Sequence, residues 1–187
     1  MTERTFQRSI RVPVPVEELF AWHERPGAFA RLSPPWDSPT ILEQSGGIRD
    51  GATVALRVHS GPIATTWRLV HRDYIENVQF VDELREGPFA HWVHTHRFSA
   101  DGPRASVLAD QISYALPMGA IGDAVAGGFA QSTLERVFSY RHEIMAADFA
   151  RHAQFADRPR MRIAITGASG FIGSQLAAFL STGGHQV

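Results

Sequence analysis

From Phe129 to Arg158 the chain has neither glycine nor proline, and Leu134, Val137, Phe138, Arg141, Met145, Asp148 and Phe149 recur there at three- and four-residue steps. That is the period of one helix face. Glu135, Arg136, Ser139, Glu143 and Arg151 fall on the opposite face. With a looser first turn or two, the pattern predicts one long amphipathic helix over Gly119 to Phe155. A helix with a single apolar stripe must bury it, and the partner available is the strand-rich region before it. Residues 1–156 are therefore expected to be α+β, a curved antiparallel sheet around a C-terminal helix.

The preceding chain supports this. Phe6, Ile10, Val12 and Val14 are the apolar members of a strand over Thr5–Val14. Pro15 suits the first turn of a helix over Val16–His23. Arg25-Pro26-Gly27 breaks that helix, and Ala28–Leu32 is a second short one, ended by Ser33-Pro34-Pro35. From Thr40 to Pro117 the period becomes two, with candidate strands at Thr40–Gln44, Ala52–His59, Ala64–His71, Asn77–Leu84, His91–Phe98 and Ser106–Leu116. Gly46-Gly47, Asp50-Gly51, Gly61-Pro62, Gly87-Pro88 and Asp101-Gly102-Pro103 punctuate them. Even spacing without intervening helices predicts an antiparallel meander.

Composition narrows function mainly by exclusion. A net charge of −1 without a basic run argues against nucleic acid and anionic membrane as partners. The chain has no cysteine, which removes disulfides, thiolate chemistry and cysteine-bound zinc. The N-terminus lacks an apolar core of signal-peptide length, and no apolar run approaches membrane-spanning length. The expected compartment is the cytoplasm.

Residues 157–160 read as a linker, because Pro159 stops the long helix. Beyond it, Met161–Ile165 is a short apolar segment expected to be a strand. Thr166-Gly167-Ala168-Ser169-Gly170-Phe171-Ile172-Gly173 then opens a helix to about Ser181. Strand, G-x-x-G-x-x-G, helix is a dinucleotide-binding arrangement. Gly167 allows the tight turn, Gly170 lets backbone approach a pyrophosphate, and Gly173 lets helix pack on strand. The residue that selects the ribose form lies about 20 positions further on in such folds. Residues 161–187 are thus expected to be the opening of an incomplete NAD(P)-binding Rossmann unit, with Gly167, Ser169, Gly170, Phe171, Ile172 and Gly173 as cofactor-binding positions. This segment alone is expected to bind no dinucleotide tightly; its partner would be the remainder of the Rossmann domain.

A sheet curled round a helix leaves room for a cavity. Alternation puts Trp92, His94, His96 and Phe98 on one face of the sixth strand, and Leu108, Asp110, Ile112, Tyr114 and Leu116 on one face of the seventh. A turn over Ser99–Ala105 would set Phe98 against Ser106, His96 against Leu108, His94 against Asp110 and Trp92 against Ile112. The candidate cavity residues are Trp36, Trp67, Trp92, His94, His96, Asp110, Tyr114, Phe138 and Arg141. A His94/His96/Asp110 cluster could satisfy itself, orient a ligand or transfer protons; a metal is ranked behind these and none is assigned. Arg141 is expected to pair with Asp82 or Asp110, and the run from Asp82 to Glu86 to be a solvated strand end.

The order of strand, two short helices, antiparallel strands and long helix resembles the helix-grip fold over about residues 3–153. That is the SRPBCC superfamily of START-like lipid carriers, Bet v 1-like proteins and polyketide cyclases. PVEELFAWHERPGAFARLSPPW, GGIRDG, GPFAHWVHTHRF, YALPMG and SYRH, followed by MRIAITGASGFIGSQL, look like the N-terminal half of bacterial proteins joining an SRPBCC domain to an extended short-chain dehydrogenase domain of the sugar-nucleotide epimerase type. The resemblance implies a small hydrophobic ligand held between sheet and long helix, and NAD or NADP in the complete protein. The Tyr-x-x-x-Lys of the dehydrogenase family is not in this chain, and no catalytic set maps onto it. Two alternatives stand beside ligand binding: cyclase- or hydrolase-like chemistry at His94, His96 and Asp110, and an interaction domain docking on the dehydrogenase half.

Overall fold

The computed structural model describes residues 2–37, 39–60 and 63–187. The Gly61-Pro62 turn lies outside the described residues. In chain order the elements are β1 (Arg4–Val12), α1 (Val16–Glu24), α2 (Ala28–Leu32), β2 (Thr40–Ser45), β3 (Thr53–Ser60), β4 (Ile63–Ile75), β5 (Gln79–Glu86), β6 (His91–Ala100), β7 (Ser106–Ala115), α3 (Ala120–Ala153) and α4 (Phe171–Thr182). Strands β2 to β7 form the expected meander. β1 adds beside β7, so the sheet order is β1-β7-β6-β5-β4-β3-β2, with every neighbour antiparallel. This is the helix-grip α+β architecture. Among the described residues, no helix is long and apolar enough to cross a membrane.

The long helix spans 34 residues. Its buried stripe of Leu134, Phe138, His142, Met145, Asp148 and Phe149 faces the sheet and the short helices. Two clusters share that interface. One joins Leu19, Phe20 and Trp22 of α1 to Phe80, Phe98, Leu108, Met145 and Phe149; the other joins Phe6, Ile112, Tyr114, Leu134 and Phe138. α2 is pinned to α3 by a two-pronged ion pair: Arg31 Nε and Nη2 lie 2.9 and 2.7 Å from the oxygens of buried Asp148.

The β6–β7 hairpin departs from the predicted pairing. β6 runs on to Ala100, so the turn is shorter and closes with Asp101 N–H donating to Ala105 O at 2.8 Å. Phe98 therefore faces Leu108, His96 faces Asp110, His94 faces Ile112 and Trp92 faces Tyr114. The slip is two residues. Because side chains alternate with period two, every one stays on its predicted face while its partner changes.

The segment after α3 also differs from expectation. Met161–Ile165 forms no strand; one parallel bridge joins Arg162 to Gln186. A parallel strand needs a neighbour along its whole length, and here the pairing amounts to that bridge and the flanking bonds from Ile163 N–H to Gln186 O and Gln186 N–H to Met161 O. The predicted helix is present as α4, and it packs on α2. Gly27, at the start of α2, sits so close that a Cβ there would lie 2.1 Å from Ala178 O. Arg25 Nη1 reaches Thr182 O at 2.5 Å, and the His152 ring stacks on Phe179 with centroids 4.5 Å apart.

Candidate functional site

Inward-facing positions on successive strands carry His71 on β4, Asp82 on β5, His94 and His96 on β6 and Asp110 on β7; α3 adds His142. The pairing registers bring them into a row, since Asp82 faces His94 and His96 faces Asp110. His71 Nε2 lies 2.8 Å from Asp82 Oδ1. Asp82 Oδ2 lies 3.1 Å from His96 Nε2 and 3.7 Å from His94 Nδ1. On the other side His94 Nε2 donates to Asp110 Oδ1 at 3.0 Å, and His142 Nε2 donates to Asp110 Oδ2 at 3.1 Å. His96 Nδ1 is 2.9 Å from Asp110 Oδ1, but off the line of a hydrogen bond, so this is an ionic contact.

Acids and imidazoles thus alternate from β4 to α3. Burial by itself would raise both carboxyl groups. The imidazoles outweigh it: His71 and His96 hold Asp82, and His142, His94 and His96 hold Asp110, well below the usual carboxylate range. Burial would likewise discharge His96, yet its contacts with Asp110 and Asp82 raise it to about 9. His94, buried beside that charged neighbour, falls to about 4. His23 falls to about 4 through burial. Its Nδ1–H donates to Leu19 O at 2.8 Å, which leaves Nε2 as a buried acceptor without a partner.

Between sheet and α3 lies a space of about 10 Å³, lined by His23, Leu32, His96, Leu108, Asp110, Phe138, Arg141, His142 and Met145. That is room for about one water molecule. Of the residues predicted for a cavity, His96, Asp110, Phe138 and Arg141 line this space, and His94 stands behind it with its ring edge-on to Phe138 at 5.4 Å. Trp67, Trp92 and Tyr114 belong to a separate aromatic cluster with Phe89. Trp36 is half exposed against Tyr140, with Arg136 over its ring. A wider depression of about 300 Å³, lined by Gln7, Ser9, Arg97 and Gln111, opens elsewhere on the β1–β7–β6 part of the sheet.

Two pairings differ from the sequence reading. Arg141 forms no ion pair with Asp82 or Asp110; its Nε donates to Leu32 O at 3.1 Å and its guanidinium lies over the Phe138 ring. Asp82 is not a solvated strand end, because three imidazoles surround it. The sequence reading missed His23, His71 and His142. A signal for His142 exists: it stands four residues after Phe138 and three before Met145, within the buried stripe.

The glycine loop is exposed, from Thr166 through Phe171 and Ile172. Gly167 has φ +71°, and a Cβ on Gly173 would lie 2.1 Å from Gly167 O. Both glycines are therefore required by the turn. Gly170 N-caps α4, and Ser169 lies in the turn before it. The bare loop at a helix N-terminus fits the pyrophosphate of a dinucleotide.

Residues 12–138 match the family described as Polyketide cyclase / dehydrase and lipid transport. No curated protein matches the chain. Among solved structures, the chain is similar to a nucleoside-diphosphate sugar epimerase from Corynebacterium glutamicum, with 28% identity and a TM-score of 0.78 over 97% of this chain. It spans 38% of that protein's length. An aromatase/cyclase from Streptomyces sp. R1128 is 18% identical, TM-score 0.57, with 84% of this chain and 97% of that one covered. A START superfamily protein from Mycobacterium smegmatis is 13% identical, TM-score 0.59, with 79% and 97% covered. At those identities the last two show the shared fold.

Proposed function

The chain belongs to the polyketide cyclase/dehydrase and lipid transport family, and on that premise we propose that residues 1–156 bind a small, mostly hydrophobic molecule between the sheet and α3. One observation carries this reading: a set of buried polar groups converges on an interior space walled otherwise by Leu32, Leu108, Phe138 and Met145. Convergent polar groups in an apolar interior are what orients a ligand. His23 Nε2 accepts a hydroxyl or amide N–H from the ligand, since it has no donor of its own. Arg141 stands over Phe138 beside the same space, available to a carbonyl or anionic oxygen. At about 10 Å³ the space is closed down, so entry of an organic molecule displaces Leu32 and the Arg141–Leu32 bond that covers it on the α2 side.

Residues 161–187 are proposed as the start of an NAD(P)-binding domain in a longer protein of the epimerase type. The support is the fit of the glycine loop and the similarity to the epimerase over nearly the whole of this chain. Gly167, Gly170 and Gly173 would hold the pyrophosphate; the bound nicotinamide would supply hydride transfer. The docking of α4 on α2 favours a second role for the first domain, as a platform for that second one.

Native mass spectrometry of freshly purified protein tests the ligand reading. A co-purified small molecule lost on His23→Phe or Arg141→Leu substitution supports it. A bare protein that also fails to take up small aromatic or acyl probes sinks it.

A further inference from the structure

The imidazoles of His94 and His96 are each held between two carboxylates. On one side stands Asp82, with His96 Nε2 at 3.1 Å and His94 Nδ1 at 3.7 Å from the same oxygen. On the other stands Asp110, whose Oδ1 lies 3.0 Å from His94 Nε2 and 2.9 Å from His96 Nδ1. Both rings thus turn one nitrogen to Asp82 and the other to Asp110.

We infer that Asp82, His94 and His96 form a binding site for a divalent transition metal. Their ligand atoms all lie within 4.8 Å of one another. A tetrahedral site with bonds of about 2.0–2.1 Å sets adjacent ligand atoms about 3.4 Å apart, and the two edges at Asp82 Oδ2, 3.1 and 3.7 Å, bracket that spacing. The surroundings argue more strongly. Metal-bound histidines almost always donate the remote ring N–H to a carboxylate or carbonyl; Asp110 accepts from His94 Nε2 and stands in ionic contact with His96 Nδ1 at 2.9 Å. Asp110 is itself fixed by His142, and the second oxygen of Asp82 is in ionic contact with His71 Nε2 at 2.8 Å. In the tautomer that donates Nε2–H to Asp110, His94 leaves a lone pair 3.7 Å from an Asp82 oxygen. Two acceptors side by side are the arrangement a cation relieves.

The donor set decides the metal class. Two imidazoles and one carboxylate suit Zn²⁺, Co²⁺ or Fe²⁺ over Mg²⁺ or Ca²⁺, which prefer oxygen cages. Three protein ligands leave a coordination position for water or for an oxygen of a ligand. Two carboxylates, Asp82 in the site and Asp110 behind it, balance the charge of the ion. Asp82 is the more exposed of the two acids, with 22% of its side chain accessible, and provides the entry side.

The test uses the 187-residue chain stripped with chelator and titrated with Co²⁺ at pH 8. One saturable equivalent is expected, with visible absorption bands. At saturation the ring resonances of His94 and His96 are expected to show paramagnetic shifts in the unsubstituted protein, so the result does not depend on variants that fold. His94→Gln and His96→Gln should abolish binding. Asp110→Asn should keep the stoichiometry and weaken affinity by about 10–100-fold. Absence of saturable binding, unshifted His94 and His96 resonances, or binding that survives in both histidine variants would overturn the assignment.

Discussion

His142 Nε2 and Asp110 Oδ2 meet at 3.1 Å, and through this contact α3 reaches the acids of the sheet. Asp110 keeps its contacts with His94 and His96 if His142 is removed, but one oxygen loses its donor. His142→Leu is expected to cost about 1–3 kcal/mol in urea unfolding. Combined with Asp110→Asn, it should show a coupling of at least about 0.5 kcal/mol. Strict additivity would show that the contact does not hold helix to sheet.

Arg31→Ala leaves Asp148, only 2% exposed, as an uncompensated buried carboxylate. The expected loss is about 3 kcal/mol, the scale of a broken buried pair. Arg31→Ala with Asp148→Leu should recover much of it. Denaturant midpoints of the two variants measure this, and a single variant as stable as the parent contradicts the account.

Stability should peak near neutrality for a stated reason. His23 and His94 sit near 4 in the folded protein, against an ordinary value of 6.5. Between those values the unfolded chain binds more protons, so stability falls as pH drops from 6.5 to 4. For His23 the loss is up to about 3 kcal/mol. His96, raised to about 9, acts in the other direction: its contribution is whole below 6.5 and fades as pH rises through 9. His23→Gln should flatten the acid limb and leave the alkaline one. A pH–stability curve level from 4 to 6.5 would refute this.

Met145 is fully buried and lines the interior space. Met145→Ala should cost about 2–5 kcal/mol and enlarge that space. A benzene-sized probe, which finds little room in the parent, should then raise the melting temperature of the variant. A variant that loses stability but gains no such response would show that the wall collapses into the vacancy.

Gly27→Ala puts a methyl group against the Ala178 carbonyl, where only 2.1 Å is available. α4 should move off α2. Hydrogen exchange at Ala178 to Thr182 is expected to rise several-fold while the amides of β6 and β7 stay protected. Equal protection in both proteins would mean that α4 is held some other way.

Much of this was legible in the residues. The stripe from Leu134 to Phe149 located α3, and the period-two stretches located the meander, because both patterns are written by burial alone. The faces of His94, His96 and Asp110 followed for the same reason. Their partners did not. Register depends on the length of one turn, and Ala100 continues β6 where the sequence suggested a loop. The other half of the cluster was hidden because Asp82 sits in a charged run, His71 precedes Arg72-Asp73, and His142 lies between Arg141 and Glu143. Only the fold brings four strands and a helix to one spot. The size of the interior space was equally out of reach, since it is set by how Leu32, Leu108, Phe138 and Met145 settle together.

α2 is five residues long, about 7.5 Å of helix, yet it packs on α3 and α4 and borders the interior space. Leu32 roofs the interior space, Arg31 clasps α3 and reaches Gln175 of α4, and Gly27 presses on Ala178. A guest that lifts Leu32 must tilt this short lever, and its far end bears on the helix that follows the glycine turn. A ligand lodged beneath Leu32 would thus press through α2 on α4.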